Sequence, residues 1–254
     1  MDKTFAPGTF TPRPKRASIG QMAWAQGVIE SKLMLRHGEQ LLLSIIIPLA
    51  LLFGADRMQD ISGLTLDEVF PLILAIAATS AGFTGQAISV AFDRRYGALK
   101  RTGASGVPAW TIIAGKVMAV CSMVIVQVVI LGTAAAIMGL RIPLSGLALG
   151  ALLLILGVAS FTALGLLLGG TLNSEAVLAL ANLLWFLLLG AAGWALYSQG
   201  LGDNGLVTLI PTVALAGGFA DAFSGHFPGL EIAVLAGWAV VASYLATKWF
   251  RFDG

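Results

Sequence analysis

Residues 109–138 read AWTIIAGKVMAVCSMVIVQVVILGTAAAIM, and Lys116 carries their only charged side chain. An α-helix needs roughly 20 mostly apolar residues to cross the hydrocarbon core of a bilayer. This stretch is longer than that, whereas β-strands and the core helices of soluble domains are usually shorter. The stretch therefore predicts a membrane-spanning helix, and it places the chain in the all-α class of integral membrane proteins.

Five further apolar segments share this character, and we predict that the chain has six transmembrane helices. Over all 254 residues the hydrophobic content is 57% and the charged content is 11%, whereas charged residues make up roughly a quarter of a soluble protein. The shortest segment contains Pro48 and needs polar flanking residues to reach across the bilayer. The predicted spans are 40–55, 69–92, 109–138, 145–171, 176–198 and 231–250.

Another apolar stretch, residues 207–223, contains residues that disfavour a continuous crossing. Pro211, Gly217 and Gly218 weaken a helix, and Asp221 adds a charge. Irregular backbone at membrane depth must be shielded by protein or by water. We therefore predict a broken re-entrant or interfacial segment before the last span, because a seventh crossing would conflict with the distribution of charge.

The basic residues are concentrated on one side of this topology. With the N-terminus inside, the outer side receives only Arg57 and Arg141, beside acids such as Asp67 and Glu231. Loops rich in Lys and Arg stay in the cytoplasm, so both termini are expected to be cytoplasmic in a multi-pass protein of the inner or plasma membrane. The inner side receives Lys3, Arg13, Lys15, Arg16, Lys32, Arg36, Arg94, Arg95, Lys100, Arg101, Lys116, Lys248 and Arg251.

The N-terminal region divides into two parts that precede the membrane domain. Residues 1–18 are rich in proline and basic side chains, which predicts a disordered basic cytoplasmic arm. Residues 19–38 place apolar side chains such as Leu33 on one face and Lys32 on the opposite one, which predicts an amphipathic interfacial helix. An ordinary solvated helix is the alternative. Residues 39–254 then form the six-span domain.

The charged side chains also limit the chemistry of the chain. No Asp, Glu, Lys, Arg or His lies in the middle of a predicted span, which argues against a proton- or ion-coupled transporter. Ser105 has no histidine partner in this topology, because His37 and His226 lie elsewhere. Cys121 is the single cysteine, so a disulfide framework and a cysteine metal cluster are excluded. We expect no catalytic, cofactor-binding or metal-binding residues.

The loop between the second and third predicted spans carries the most specific pattern. Residues 93–108 read DRRYGALKRTGASGVP, and AWTIIAGK follows at 109–116. A loop that only sets the topology would explain these charges but not the order of acid–Arg, Gly-x-Leu, Pro and Gly–Lys. That order resembles the cytoplasmic loop of permease subunits of ABC-2 type transporters, the group that includes drug, lipid and polysaccharide exporters. The residues that match are Asp93, Arg94, Gly97, Leu99, Pro108, Gly115 and Lys116.

The resemblance covers essentially the whole chain and implies a role for this loop. Asp93 replaces the usual glutamate, and Thr102 stands where a leucine is common. In the family the loop forms a coupling helix that docks into a separate ATPase, so its basic side chains are expected to pair with acidic groups there. Leu99 and Tyr96 are expected to be apolar anchors, and the helix at 19–38 a second contact. The implied coupling residues are Asp93, Arg94, Arg95, Tyr96, Gly97, Leu99, Lys100, Arg101, Pro108 and Lys116.

The polar and small residues inside the spans allow two interpretations. Gln127 and Asn182 either hydrogen-bond between helices, which we favour, or line a substrate path. Gly146 and Gly150 form a Gly-x-x-x-Gly pair, which lets helix backbones approach closely within the chain or, on weaker grounds, in a dimer.

The function that the resemblance implies is that of a membrane-spanning permease subunit of an ATP-driven exporter for an amphiphilic or lipid-like substrate. ATP and Mg²⁺ would be bound by cytoplasmic ABC ATPase subunits, and this chain would bind no cofactor directly. A second permease, identical or related, and the lipid bilayer are the other expected partners, and no nucleic acid is expected. The alternative is a membrane scaffold or assembly factor without transport activity.

Overall fold

The computed structural model describes residues 17–36, 38–104, 107–202 and 204–250. At residues 38–43, 103 and 109 it describes the backbone alone. Every regular element in these residues is helical. The predicted all-α class is therefore confirmed. Most of the predicted basic arm at 1–18 and the C-terminal residues 251–254 lie outside the described residues. The α-helices are α1 (Ile19–Arg36), α2 (Gly38–Arg57), α3 (Gln59–Ser62), α4 (Leu66–Thr79), α5 (Gln86–Arg95), α6 (Ala98–Ala104), α7 (Ala109–Ile137), α8 (Leu144–Thr171), α9 (Ser174–Gln199), α10 (Pro211–Phe223) and α11 (Gly229–Trp249).

Five helical stretches in the described residues are long and apolar enough to cross a membrane, and they coincide with five of the predicted spans. In the first of them, a π-helical segment at Ser80–Gly85 joins α4 to α5. Helix α2 coincides with the shortest predicted span, whose crossing stays a prediction, as does the total of six. The five stretches are Leu66–Arg95, Trp110–Ile137, Leu144–Thr171, Ser174–Gln199 and Gly229–Trp249.

The segment before the last span is broken at the predicted proline. Pro211 is the first residue of α10, where its missing N–H costs no hydrogen bond. The 13 residues of α10 extend about 20 Å at 1.5 Å per residue, which is less than the thickness of a bilayer core. Most of α10 is buried, including every residue from Pro211 to Phe219. Its re-entrant position in a membrane stays a prediction.

Helix α8 lies in the middle of the bundle because its glycines admit neighbouring backbone. A Cβ atom at Gly146 would lie 2.6 Å from the carbonyl oxygen of Ala222 in α10. One at Gly165 would lie 2.7 Å from the carbonyl oxygen of Phe83 in the π-helical segment. These Gly-x-x-x-Gly faces therefore pack against other helices of the same chain, and α10 and the π-helical segment occupy the space that side chains would need.

Burial differs strongly between the spans. In the most apolar part of Leu66–Arg95, 78% of the residues are buried, whereas the corresponding share for Ser174–Gln199 is 17%. The α4–α5 stretch is therefore central, and α9 presents most of its apolar surface outwards, as lipid-facing helices do.

Helix α1 is attached to α7 along its length. Gly27 is buried against the side chain of Met118, and a Cβ atom at Gly115 would lie 3.2 Å from the backbone carbon of Gln26. The Ser31 and Ser122 hydroxyl oxygens are 3.1 Å apart. Helix α1 ends at Arg36, and its predicted position in the membrane interface stays a prediction. Contacts at Gly27, Ser31 and Gly115 hold it against α7.

Candidate functional site

The predicted coupling loop forms a helix–turn–helix at one end of the bundle, which we call the basic end because Arg94, Arg95, Lys100, Arg101, Lys116 and Lys248 lie there. Helix α5 ends at Arg95, and α6 begins at Ala98. Between them Gly97 has φ of 68°, a conformation that costs energy for residues with a Cβ atom. Its N–H donates to the carbonyl oxygen of Arg94 at 3.0 Å. The motif glycine thus reverses the chain so that α6 folds back on the bundle.

Leu99 fixes α6 to the bundle. Its side chain is 4% exposed and packs in a cluster with Val90 of α5, Ile112 of α7, Leu166 of α8 and Ala246 of α11. The resemblance implied that Leu99 is an apolar anchor for a partner. The structure buries it within the chain, which stabilises this contact by about 2 kcal/mol, and its role as an anchor for a partner stays a prediction. Leu99 thus joins α6 to a cluster to which four other helices contribute.

Arg94 lies below the turn and holds the end of α8. It is 7% exposed, and its Nη1 donates to the carbonyl oxygens of Gly169 at 3.0 Å and Leu172 at 2.9 Å. The last carbonyls of a helix lack partners within the helix and carry partial negative charge, so a guanidinium is well suited to them. Arg94 thus bonds within the chain, and its pairing with an acidic group on a partner stays a prediction.

Arg95 points the other way and makes an exposed ion pair. Its Nη1 is 2.5 Å from Oε1 of Glu175 and donates to the Ser174 hydroxyl at 3.0 Å. Both partners belong to the first turn of α9. The side chains of Arg95 and Glu175 are 49% and 71% exposed, so water and salt weaken this pair.

Lys116 is buried and joins three helices. Its Nζ lies 2.6 Å from Oδ2 of Asp93 in α5 and 3.5 Å from Oε2 of Glu30 in α1. It also donates to the Ser89 hydroxyl at 3.4 Å. Gln26 donates to the other carboxylate oxygen of Glu30 at 3.0 Å. The Asp–Arg and Gly–Lys parts of the motif therefore meet in an ion cluster, which a buried ammonium requires.

The remaining motif residues lie on the outer side of the turn or at the start of α7. Tyr96 is 66% exposed and stacks on Phe92, and Lys100 and Arg101 are exposed. Arg101 donates to the Tyr96 carbonyl oxygen at 2.9 Å. Pro108 is the N-cap residue of α7.

The two candidate residues for a substrate path lie in different environments. Gln127 of α7 is fully buried, and its Nε2 donates to the Ser44 carbonyl oxygen of α2 at 3.0 Å. Asn182 lies on an exposed part of α9, and its Nδ2 donates to the Leu178 carbonyl oxygen in the same helix at 2.7 Å. Gln127 therefore joins two helices, as the favoured interpretation predicted, and a role for either residue in a path stays a prediction.

Glu30, the acid that α1 contributes to the ion cluster, was not among the predicted coupling residues. One signal pointed to it, because a lysine inside an apolar run needs an acidic partner. Glu30 and Asp93 are acids that the topology places near Lys116 at the basic end. Among the described residues, no group of three or more His, Cys, Asp or Glu side chains could hold a metal ion.

The comparison with protein families identifies one match. The family model described as "ABC-2 type transporter" matches residues 24–200, which include most of α1, the ion cluster and the turn at Gly97. No curated protein and no solved structure matches the chain significantly.

Proposed function

Because the chain belongs to the ABC-2 type transporter family as a membrane-spanning permease subunit, we propose that it exports an amphiphilic or lipid-like substrate, driven by ATP hydrolysis on a separate subunit. ATP and Mg²⁺ are bound by that ATPase, and this chain supplies the path through the membrane. The basic end faces the cytoplasm, since Lys- and Arg-rich ends are retained there. The peripheral helix α9 is available for a second permease or for lipid.

The observation that carries this proposal is the construction of the α5–α6 turn. Its exposed side bears Tyr96, Lys100 and Arg101, while Leu99 and Arg94 fix its inner side to the bundle. An aromatic ring between exposed cations suits a partner surface with acidic groups around an apolar pocket. A displacement of α6 by such a partner reaches α8 through Arg94 and reaches α1 and α7 through Asp93 and Lys116.

The test is purification of the tagged chain from its native membrane in a gentle detergent, with assay of the eluate for ATP hydrolysis. The variant to compare with wild type is Lys100→Glu combined with Arg101→Glu, which reverses the charge of the proposed contact without touching Arg94 or Lys116. We expect an ATPase to copurify with wild type, and the variant to recover about tenfold less of it or still less, since like charges across an interface cost several kcal/mol.

The matched control is Arg141→Glu, an exposed charge reversal at the opposite end of the bundle. It should leave ATPase recovery at the wild-type level. Equal recovery with all three proteins would refute the assignment of the contact to α6. A chain that elutes without any ATPase, even after crosslinking, would support the alternative of a membrane scaffold or assembly factor.

A further inference from the structure

A cleft of about 530 Å³ opens at the basic end, between α1, α5, α6 and α7. This volume lies within the range of small-molecule sites, about 300–1,000 Å³. The cleft is distinct from the outer side of α6, where the proposed contact with an ATPase lies, because its walls are the inner faces of these helices. Its lining combines polar residues such as Gln26, Glu30 and Asp93 with apolar ones such as Leu33 and Phe92.

The charges around this cleft favour a cation. Glu30 and Asp93 both line it, and Lys116 pairs with both carboxylates. Two carboxylates against one ammonium leave a formal excess of one negative charge. The side chains of Glu30 and Asp93 are 20% and 34% exposed, so each can be reached from the cleft. A second cation there would pair with carboxylate oxygens in a partly desolvated place, where ion pairs are stronger than in water.

A buried amide supplies an independent sign of a ligand. Gln86 lines the cleft, is 4% exposed, and its Oε1 has no hydrogen-bond partner among the described residues. A buried acceptor left without a donor costs about 1–3 kcal/mol, so such atoms usually accept a hydrogen bond from protein, ordered water or a ligand. A cleft whose lining holds this amide and two carboxylates suits a group that donates hydrogen bonds and carries positive charge. A primary ammonium meets both requirements.

The rim of the cleft is apolar. Ile29 and Leu33 of α1 line it and are each 54% exposed, and Phe92 and Leu99 lie on the side of α5 and α6. Apolar side chains that stay exposed beside a charged recess can cover the hydrocarbon part of a ligand whose head enters the recess. The lining thus combines a charged recess with an apolar rim, which matches the charged head and the apolar body of an amphiphile.

We propose that this cleft binds a primary ammonium group attached to an apolar body, with the ammonium against Glu30, Asp93 and Gln86 and the apolar part against Ile29 and Leu33. The binding site stands without the proposed function. Only the further step, that the bound molecule is also the transported substrate, rests on it.

The experiment uses the full-length chain in phosphatidylcholine nanodiscs and isothermal titration calorimetry, with empty nanodiscs as the blank. The probe is phenylbutylamine, whose ammonium is charged at pH 7 as that of lysine is. Phenylbutanol and phenylbutyrate keep the apolar part and replace the cation with a neutral group and an anion. We expect the amine to bind about tenfold tighter than the alcohol, which corresponds to one modest ion pair, and the butyrate to bind weakest.

Two variants locate the binding. Glu30→Gln leaves the Asp93–Lys116 pair intact and removes the excess negative charge, so the preference for the amine over the alcohol should fall about tenfold. Gln86→Met removes the buried acceptor at similar volume and should also weaken amine binding. The matched control is Glu175→Gln, an exposed acid at the same end that does not line the cleft, and it should bind the amine as wild type does.

The outcomes decide the proposal. Equal affinities for amine and alcohol, or equal effects of Glu30→Gln and Glu175→Gln, would overturn it. A repeat with phosphatidylethanolamine added, whose headgroup carries a primary ammonium, separates two sources of the ligand. Loss of amine binding in that lipid would assign the site to the headgroup, and unchanged binding would assign it to a soluble amine. Neither result depends on an ATPase. The proposed site can therefore be refuted while the proposed function is upheld, and the function can be refuted while the site is upheld.

Discussion

Substitution of two adjacent arginines of one motif should lower the free energy of unfolding by very different amounts. Arg94 is 7% exposed and donates two hydrogen bonds to the carbonyl oxygens of Gly169 and Leu172, whereas the side chain of Arg95 is 49% exposed and pairs with Glu175. A hydrogen bond from a charged group contributes about 1.5–3 kcal/mol net. Arg94→Gln removes two of them, so at the lower limit the free energy of unfolding falls by about 3 kcal/mol, which is roughly a 100-fold change in the unfolding equilibrium.

Arg95→Gln is the matched control, because it makes the same chemical change one residue along the chain. We expect a much smaller loss, which disappears in high salt because exposed ion pairs are screened. The loss for Arg94→Gln should persist in high salt, and Arg94→Lys should fall between Arg94→Gln and wild type, since an ammonium has a shorter reach than a guanidinium fork.

The assay is unfolding of the purified chain by titration with dodecyl sulfate in mixed micelles, followed by reaction of a thiol-specific dye. Cys121 is the single cysteine and is partly buried on α7, so its reaction with the dye reports opening of the bundle at one known place. Equal losses for Arg94→Gln and Arg95→Gln, or a loss for Arg94→Gln that vanishes in high salt, would refute the assignment of Arg94 to the end of α8.

Three further predictions concern the packing of α1 and α7. Gly115→Ala should lower the free energy of unfolding by about 1–3 kcal/mol, because its Cβ atom would collide with α1. Gly132→Ala on the same helix has open space and should be neutral or stabilising. Equal effects in the unfolding assay would contradict this packing. Ser31→Cys combined with Ser122→Cys, with the native cysteine replaced by serine, should form an intramolecular crosslink on mild oxidation, seen as a mobility shift after proteolysis, and neither single variant should. Lys116→Met should lower the free energy of unfolding by about 3 kcal/mol. This is the lower limit for breaking a buried ion pair, because the carboxylate partners are partly exposed. An unchanged unfolding midpoint would show that the ion cluster does not stabilise the fold.

Much of the fold could be predicted because a bilayer requires each spanning helix to be apolar and about 20 residues long. Length and hydropathy located the five stretches long enough to cross, and Pro211 was one of the residues predicted to interrupt the segment at 207–223, where α10 in fact begins and continues through Gly217 and Gly218. The π-helical segment at Ser80–Gly85 was not predicted, because such an insertion changes one turn of backbone and leaves the apolar pattern almost unaltered.

The site could be predicted only as a set of positions. The motif brought attention to Arg94, Leu99 and Lys116, but residue type does not tell whether an arginine faces a partner or its own chain. That choice depends on which carbonyls and carboxylates tertiary packing brings near, and these lie 75 residues away for Gly169 and 86 for Glu30. The sequence indicated that Lys116 needs an acidic partner, but it did not indicate that this partner is Glu30 on α1.

These attachments change how the turn between α5 and α6 is to be understood. If every motif residue contacted a partner, α6 could move as a loose loop, and a partner that displaced it would do little work on the membrane helices. Leu99 instead lies in a cluster formed with four other helices, and Arg94 and Lys116 bond to α8, α5 and α1. Packed interiors are nearly incompressible, so a force on α6 must shift these helices together or break contacts that cost several kcal/mol. Under the proposed function, the inward-facing residues of the turn therefore transmit the force to the bundle, and the exposed Tyr96, Lys100 and Arg101 select the partner that applies it.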